Sequence, residues 1–256
     1  IVKYPYTSST TPKHGKFGFF KSELDCFRMV ATELGLIEKS ADVFARHPLV
    51  YLMEAADDIC YQVMDIEDAH KLKILGIEEV TTLLTGFFNP ERCRHITGVL
   101  DNIDDDNEKV AYLRSCVVGE LVGECAKVFV DNEECILNGE FEGCLIDHIS
   151  PVARNGYAEC SRTAWRKIYN SPDVVDIELA GNQIITFLLD RLIDAVLLPE
   201  KNYSRLLLSR IPHQYDTSAP TTYGKIQSVL DHISGMTDVY ALDLFRKLNG
   251  LSLPAV

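Results

Sequence analysis

Between His47 and Gly76 the chain contains no glycine and only one proline, Pro48. Proline is well tolerated in the first turn of a helix, so the stretch allows a helix of about seven turns. At roughly 100° per residue its side chains sort into two arcs. Leu49, Leu52, Met53, Ala56, Ile59, Cys60, Val63 and Met64 fill an apolar arc, and Glu54, Asp57, Asp58, Tyr61, Asp65 and Asp68 fill the adjacent one. Asp57 stands at the seam, which predicts a partly buried carboxylate. Burying a charge is costly unless something compensates it. Lys71 and Lys73 lie beyond the cluster, so the partner is an arginine or lysine from elsewhere, or a metal ion. A solvated acidic helix face is the alternative.

Helical spacing recurs along the rest of the chain. It predicts helices from Ser22 to Gly35, Ile77 to Thr85, Pro90 to Leu100, Val110 to Val130 and Tyr157 to Tyr169. It predicts further helices from Asp176 to Leu198, Tyr203 to Ile211, Tyr223 to Ile233 and Met236 to Leu248. In the Asp176 helix, Ile177, Ala180, Ile184, Phe187, Leu188, Leu192 and Val196 share one face. Ser40 to Ala45 reads as a connector of at most one helical turn. Gly119 and Gly123, four apart, predict close helix packing. With no alternating segment of useful length and no internal repeat, the fold class is all-α, a multi-helix array with short connections.

The 256 residues suffice for a sizeable core. A formal net charge of −13 argues against nucleic-acid binding through overall charge, though it leaves room for a local basic pocket. No apolar run reaches the ~18 residues of a membrane span, and no secretory leader is visible. Eight cysteines form no C-x-x-C pair and fit neither zinc ligands nor a disulfide framework. Cys60, Cys116 and Cys160 read as small core residues, and a cytoplasmic location is expected. The acidic run from Asp101 to Glu108 lacks the calcium-loop glycine and glutamate spacing, and reads as a solvated helix start. There is no glycine-rich phosphate loop and no G-x-S-x-G.

Four stretches carry a resemblance. Glu54-Ala-Ala-Asp-Asp-Ile-Cys-Tyr followed by Asp65-Ile-Glu-Asp, Lys3-Tyr-Pro-Tyr, Lys16-Phe-Gly-Phe-Phe-Lys-Ser-Glu and Ile233-Ser-Gly-Met-Thr-Asp-Val-Tyr-Ala-Leu span nearly the whole chain. Together they resemble the deoxyguanosine triphosphate triphosphohydrolases, all-helical, metal-dependent enzymes of the HD superfamily. The resemblance implies that residues 1–100 form the C-terminal part of an HD-type catalytic core, and residues 101–256 a helical region packed on it. It implies hydrolysis of dGTP, or another dNTP, to the deoxynucleoside and triphosphate. A divalent ion (Mg, Mn or Fe) would activate the attacking water.

In that family the last metal ligand falls at Asp57, with Asp58 as the alternative. Asp57 is preferred because Tyr61 and Asp65 then follow at four-residue spacing on the same side of the helix. The resemblance implies that Tyr61 packs on the deoxyribose and Asp65 accepts the 3′-hydroxyl, a charge-assisted hydrogen bond. Lys3, Tyr4 and Lys16 match the positions that hold the triphosphate, whose charge needs cations from outside the acidic helix.

Such an enzyme also needs an early histidine and a His-Asp dipeptide, and no His-Asp dipeptide occurs in this sequence. His14 lies in a polar loop and His47 reads as a helix cap. The chain therefore reads as the C-terminal part of a longer enzyme, inactive alone. A homo-oligomer and no membrane partner are expected. The alternatives are an HD phosphohydrolase acting on another nucleotide, or a non-catalytic helical scaffold that assembles subunits.

Overall fold

The computed structural model describes residues 2–10 and 15–251; His14 lies outside them. The described residues form eleven α-helices and a single two-stranded hairpin, the all-α array expected. They divide into two compact units, Ile1–Tyr169 and Asn170–Val256. Residue 100 is interior to the first: Leu100 is buried in the same core as Val110 and Leu113.

The first unit is built on α2 (Pro48–Lys71) and α5 (Asp106–Asp131), which pack along one another. His47 caps α2, its Nδ1 accepting from the Leu49 amide at 3.2 Å, with Pro48 in the first turn. Asp105 caps α5 by accepting from the Glu108 amide at 3.0 Å, so the acidic run is a helix start. Around this pair lie α1 (Leu24–Glu33), α3 (Ile77–Thr85), α4 (Pro90–Leu100), α6 (Glu133–Leu137) and α7 (Pro151–Thr163). A five-residue π-helical stretch, Ala164–Ile168, extends α7.

Three expectations change here. Residues 38–44 form an antiparallel hairpin, β1 (Glu38–Ser40) with β2 (Val43–Phe44), rather than a helical turn. Its turn places Asp42 at φ 62°, a conformation that aspartate tolerates better than most residues. Arg28 secures the Asp42 carboxylate through Nε at 2.9 Å and Nη2 at 2.6 Å. Tyr6 bridges to Val43 and the Phe44 amide donates to the Pro5 carbonyl, joining the N-terminal segment to the hairpin. Gly119 and Gly123 face open space rather than a neighbouring helix.

The third change is the orientation of α2. Its buried side carries Val50, Tyr51, Ala55, Ile59, Val63 and Ile66, while Leu49, Leu52, Met53, Cys60 and Met64 are exposed. The apolar band is wider than one arc, and packing decides which edge turns inward. The β-branched and aromatic edge faces α5, and the two buried acids of the helix are each met by two cations: Glu54 by Lys3 and Arg46 of the preceding segments, Glu67 by Lys71 of α2 and Arg114 of α5. Glu67 accepts from Arg114 Nη1 at 2.6 Å and Lys71 Nζ at 2.9 Å. Of the three cysteines assigned to the core, Cys160 is buried, Cys116 is half-buried and Cys60 is exposed.

The second unit contains α8 (Pro172–Leu197), α9 (Asn202–Leu208), α10 (Thr222–Ser234) and α11 (Asp238–Leu248). Leu188, Leu192 and Val196 of α8 share a core with Leu207, Val229, Ile233 and Leu244. The N-terminal half of the predicted α8 face is uncovered, and Ile177 is 72 % exposed. Among the described residues no helix is long and apolar enough to cross a membrane.

Gly156 of α7 is where the first unit tolerates least. A Cβ built there would meet Phe87 Cγ at 2.9 Å and Phe87 Cα at 3.0 Å. Phe87 is fully buried and has nowhere to move. Gly156→Val is expected to lower stability by about 2 kcal/mol or more through overpacking. The check is a fall in the urea midpoint with the slope of the transition unchanged.

Candidate functional site

The site is assembled around a buried acid on the second turn of α2. Glu54 is 4 % exposed, and its two oxygens take Lys3 Nζ at 3.0 Å and Arg46 Nη2 at 2.6 Å. Burial pushes the Glu54 carboxyl up, but the Lys3 hydrogen bond and the Arg46 charge outweigh it and hold the pKa below the ordinary value. Arg46 also donates to the Lys3 carbonyl and to the Gly143 carbonyl, each at 3.2 Å, and its guanidinium lies 4.9 Å from the centre of the Tyr51 ring. One acid thus fixes the N-terminal segment, the start of α2 and the loop at Gly143 to one another.

Lys3 and Lys16 converge on Tyr4. Their Nζ atoms stand 5.9 Å and 6.0 Å from the centre of its ring. Gly18 makes this approach possible: a Cβ on it would lie 2.0 Å from the Tyr4 carbonyl oxygen. The Gly18 amide donates to the Tyr6 carbonyl at 3.1 Å, which holds the two segments side by side. Three of the residues expected at a polyphosphate therefore occupy one place. Burial opposes the charge on Lys3, but Glu54 and then Asp58 more than compensate, so its pKa is raised.

The paired aspartates differ in environment. Asp57, expected at a partly buried seam, is exposed, whereas Asp58 is half-buried. This follows from the rotation of α2 described above. Burial raises the Asp58 pKa, with Glu54, Asp57 and Asp147 adding negative charge and Lys3 opposing them. Its backbone carbonyl accepts from the Tyr157 hydroxyl at 3.3 Å.

Tyr61 and Asp65 lie one and two turns on from Asp57, about 6 and 12 Å along the axis. Tyr61 is 67 % exposed, its ring available to a ligand. Asp65 is half-buried and accepts from the hydroxyl of Tyr169, the residue that follows the π-helical stretch. Burial, then the negative charge of Asp65, push the Tyr169 hydroxyl up to about 12. It therefore remains a proton donor at neutral pH.

Arg46, Glu54 and Tyr169 were not singled out in the sequence. Glu54 and Arg46 had a local signal, since a helix that begins at Pro48 brings Arg46 within reach of a residue two turns on. Tyr169 had none, being 104 residues from its partner. Among the described residues no group of three or more His, Cys, Asp or Glu side chains is arranged to hold a metal ion.

Residues 148–247 match the model of a phosphohydrolase-associated domain. A deoxyguanosinetriphosphate triphosphohydrolase-like protein of Pseudomonas aeruginosa is 31 % identical over 266 residues, covering 99 % of this chain and 59 % of the relative. One from Synechocystis is 33 % identical over 268 residues, covering 99 % and 58 %. A deoxyguanosinetriphosphate triphosphohydrolase of Yersinia pestis is 28 % identical over 299 residues, covering 97 % and 58 %. The chain is similar to these proteins over nearly its whole length and spans just under three fifths of theirs.

Glu54→Gln leaves Lys3 and Arg46 without their counter-charge. Both keep some access to water, so the expected loss is about 2–3 kcal/mol, at or below the lower end of what breaking a fully buried pair costs. A carboxyl whose pKa is depressed on folding stabilises the fold above its unfolded pKa and loses that contribution as pH falls through the folded value. Urea midpoints measured between pH 3 and 7 should therefore show a wild-type advantage above about pH 4.3 that disappears below it.

Proposed function

We propose, from the chain's kinship with the deoxyguanosinetriphosphate triphosphohydrolase family, that the protein hydrolyses a deoxynucleoside triphosphate, dGTP in the first instance. The observation that carries this reading is the convergence of Lys3, Tyr4 and Lys16 beside a helix that carries Asp57, Tyr61 and Asp65 in line. Two ammonium groups on one aromatic ring suit a triphosphate, whose charge needs compact cations that can follow several oxygens. Glu54 positions Lys3 but also draws on its charge.

Farther along α2, the exposed ring of Tyr61 packs on the deoxyribose and Asp65 accepts the 3′-hydroxyl. The Tyr169 hydroxyl occupies part of the Asp65 carboxylate and fixes its direction. In the proposed reaction a water oxygen bonds to the α-phosphorus and the bond from phosphorus to the 5′-oxygen breaks. The nucleoside leaves on that oxygen, which takes up a proton, and the triphosphate stays intact.

A divalent ion (Mg, Mn or Fe) is what the resemblance implies at Asp57. The described residues do not accommodate one by themselves, since Asp57 and Asp58 supply only carboxylates and no third ligand accompanies them. The roles above belong to this chain's own side chains.

The second reading is a helical scaffold that assembles copies of the chain in the cytoplasm. The uncovered Ile177, Leu179 and Ile185 on α8 favour it. It is compatible with the first reading, since a catalytic oligomer needs both.

The test is release of tripolyphosphate from dGTP by the full-length protein that carries this chain. Asp57→Ala is expected to abolish release. Asp65→Asn should lower kcat/KM by about 10- to 100-fold, the worth of a hydrogen bond to a charged group. Full turnover by Asp57→Ala would refute the assignment.

A further inference from the structure

We propose that the second unit holds a binding site of its own, beside His232, for an uncharged, planar, hydrogen-bonding molecule of nucleoside size. The site is a cavity of about 380 Å³ between the loop at Pro212–Tyr215, the end of α10 and the start of α11. That volume lies at the small end of the ~300–1,000 Å³ typical of small-molecule pockets. Gly235 shapes it: a Cβ there would stand 2.9 Å from the Tyr215 hydroxyl oxygen, so glycine leaves room for the phenol at the pocket wall.

His232 lines the cavity and is only 5 % exposed. Its ring lies 5.1 Å from that of Tyr215, and among the described residues its nitrogens make no hydrogen bond. Its nitrogens are not among the fully enclosed side-chain atoms that lack a partner, so they meet the cavity and can hydrogen-bond what enters it. Burial alone lowers the His232 pKa, which keeps the ring neutral with one donor and one acceptor nitrogen.

The rest of the lining decides the class of ligand. Tyr215 and Tyr240 offer aromatic faces, and Gln214 adds an amide. No aspartate, glutamate, lysine or arginine lines the cavity, so a phosphate would find no counter-charge. An uncharged heterocycle fits these walls. The choice of a deoxynucleoside rests on the proposed function, of which it would be the product. This cavity also gives Ile233-Ser-Gly-Met-Thr-Asp a physical reading, because Gly235, Met236 and Thr237 form its wall.

The experiment titrates deoxyguanosine into the full-length protein carrying Tyr61→Ala and Asp65→Ala, which removes the sugar contacts proposed on α2. Calorimetry and the ring resonances of His232 are the readouts. Saturable binding is expected, with the His232 signals shifting. Adding His232→Gln or His232→Phe should weaken it at least 10-fold, and dGTP should bind this site at least 10-fold more weakly than deoxyguanosine. The phenylalanine variant keeps a buried aromatic ring, so loss of binding there with an unchanged urea midpoint is not a folding defect. Absence of saturable binding, or unchanged affinity in His232→Phe, overturns the proposal. Since α2 is already disabled in this background, dGTP hydrolysis by the unmutated protein is a separate outcome and reports on the catalytic reading alone.

Discussion

The joining of the N-terminal segment to α2 depends on one buried acid, Glu54, that takes two cations. Without Lys3 and Arg46, Glu54 would be an uncompensated charge inside a helical core, and α2 would have to rotate to expose it. With them, α2 is locked at a defined rotation, the N-terminal segment is tied down, and the loop at Gly143 is held through Arg46. The interaction also decides what is left over. By the helical period Asp57, Tyr61 and Asp65 lie on the same side of α2 as Glu54; Glu54 is buried there with its two cations, whereas Asp57 and Tyr61 stay exposed and Asp65 is half-buried.

That rotation links stability to chemistry. Asp58 is left half-buried among other acids, and its pKa is raised by burial and by Glu54, Asp57 and Asp147. Asp65 is steadied by Tyr169, which reaches it at the end of a π-helical stretch. Widened helical turns of this kind shift later side chains away from the ordinary helical register. Here the shift delivers a hydroxyl to a carboxylate that lies far away in sequence.

Much of the helical layout was legible in the chain. Gly76 and Gly86 bracket α3, Asn89-Pro90 starts α4, and both helices span the residues that these signals mark. His47-Pro48 predicts the start of α2 for the same reason, a cap followed by a residue that needs no amide partner. The hairpin at 38–44 was not legible, because two strands of three and two residues are too short to show alternation. The facing of α2 was not legible either. A helical wheel ranks residues by polarity, but Glu54 and Glu67 are buried because of cations that come partly from other segments. For the candidate site, Lys3, Tyr4 and Lys16 were read as a group and do stand together. The expected burial of Asp57 failed with the wheel, and Tyr169 needed the tertiary fold to be seen.

The turning of α2 leaves it with two greasy edges, only one of which is covered. Leu49, Leu52, Met53 and Met64 meet water on the other, bordered by Asp57 and Tyr61. Such a band favours contact between molecules, and the surplus of 13 negative charges opposes it. Salt shortens the reach of that repulsion to about 8 Å at physiological ionic strength and to about 3 Å at 1 M. Colloidal behaviour is thus coupled to the same rotation that sets the interior pairing.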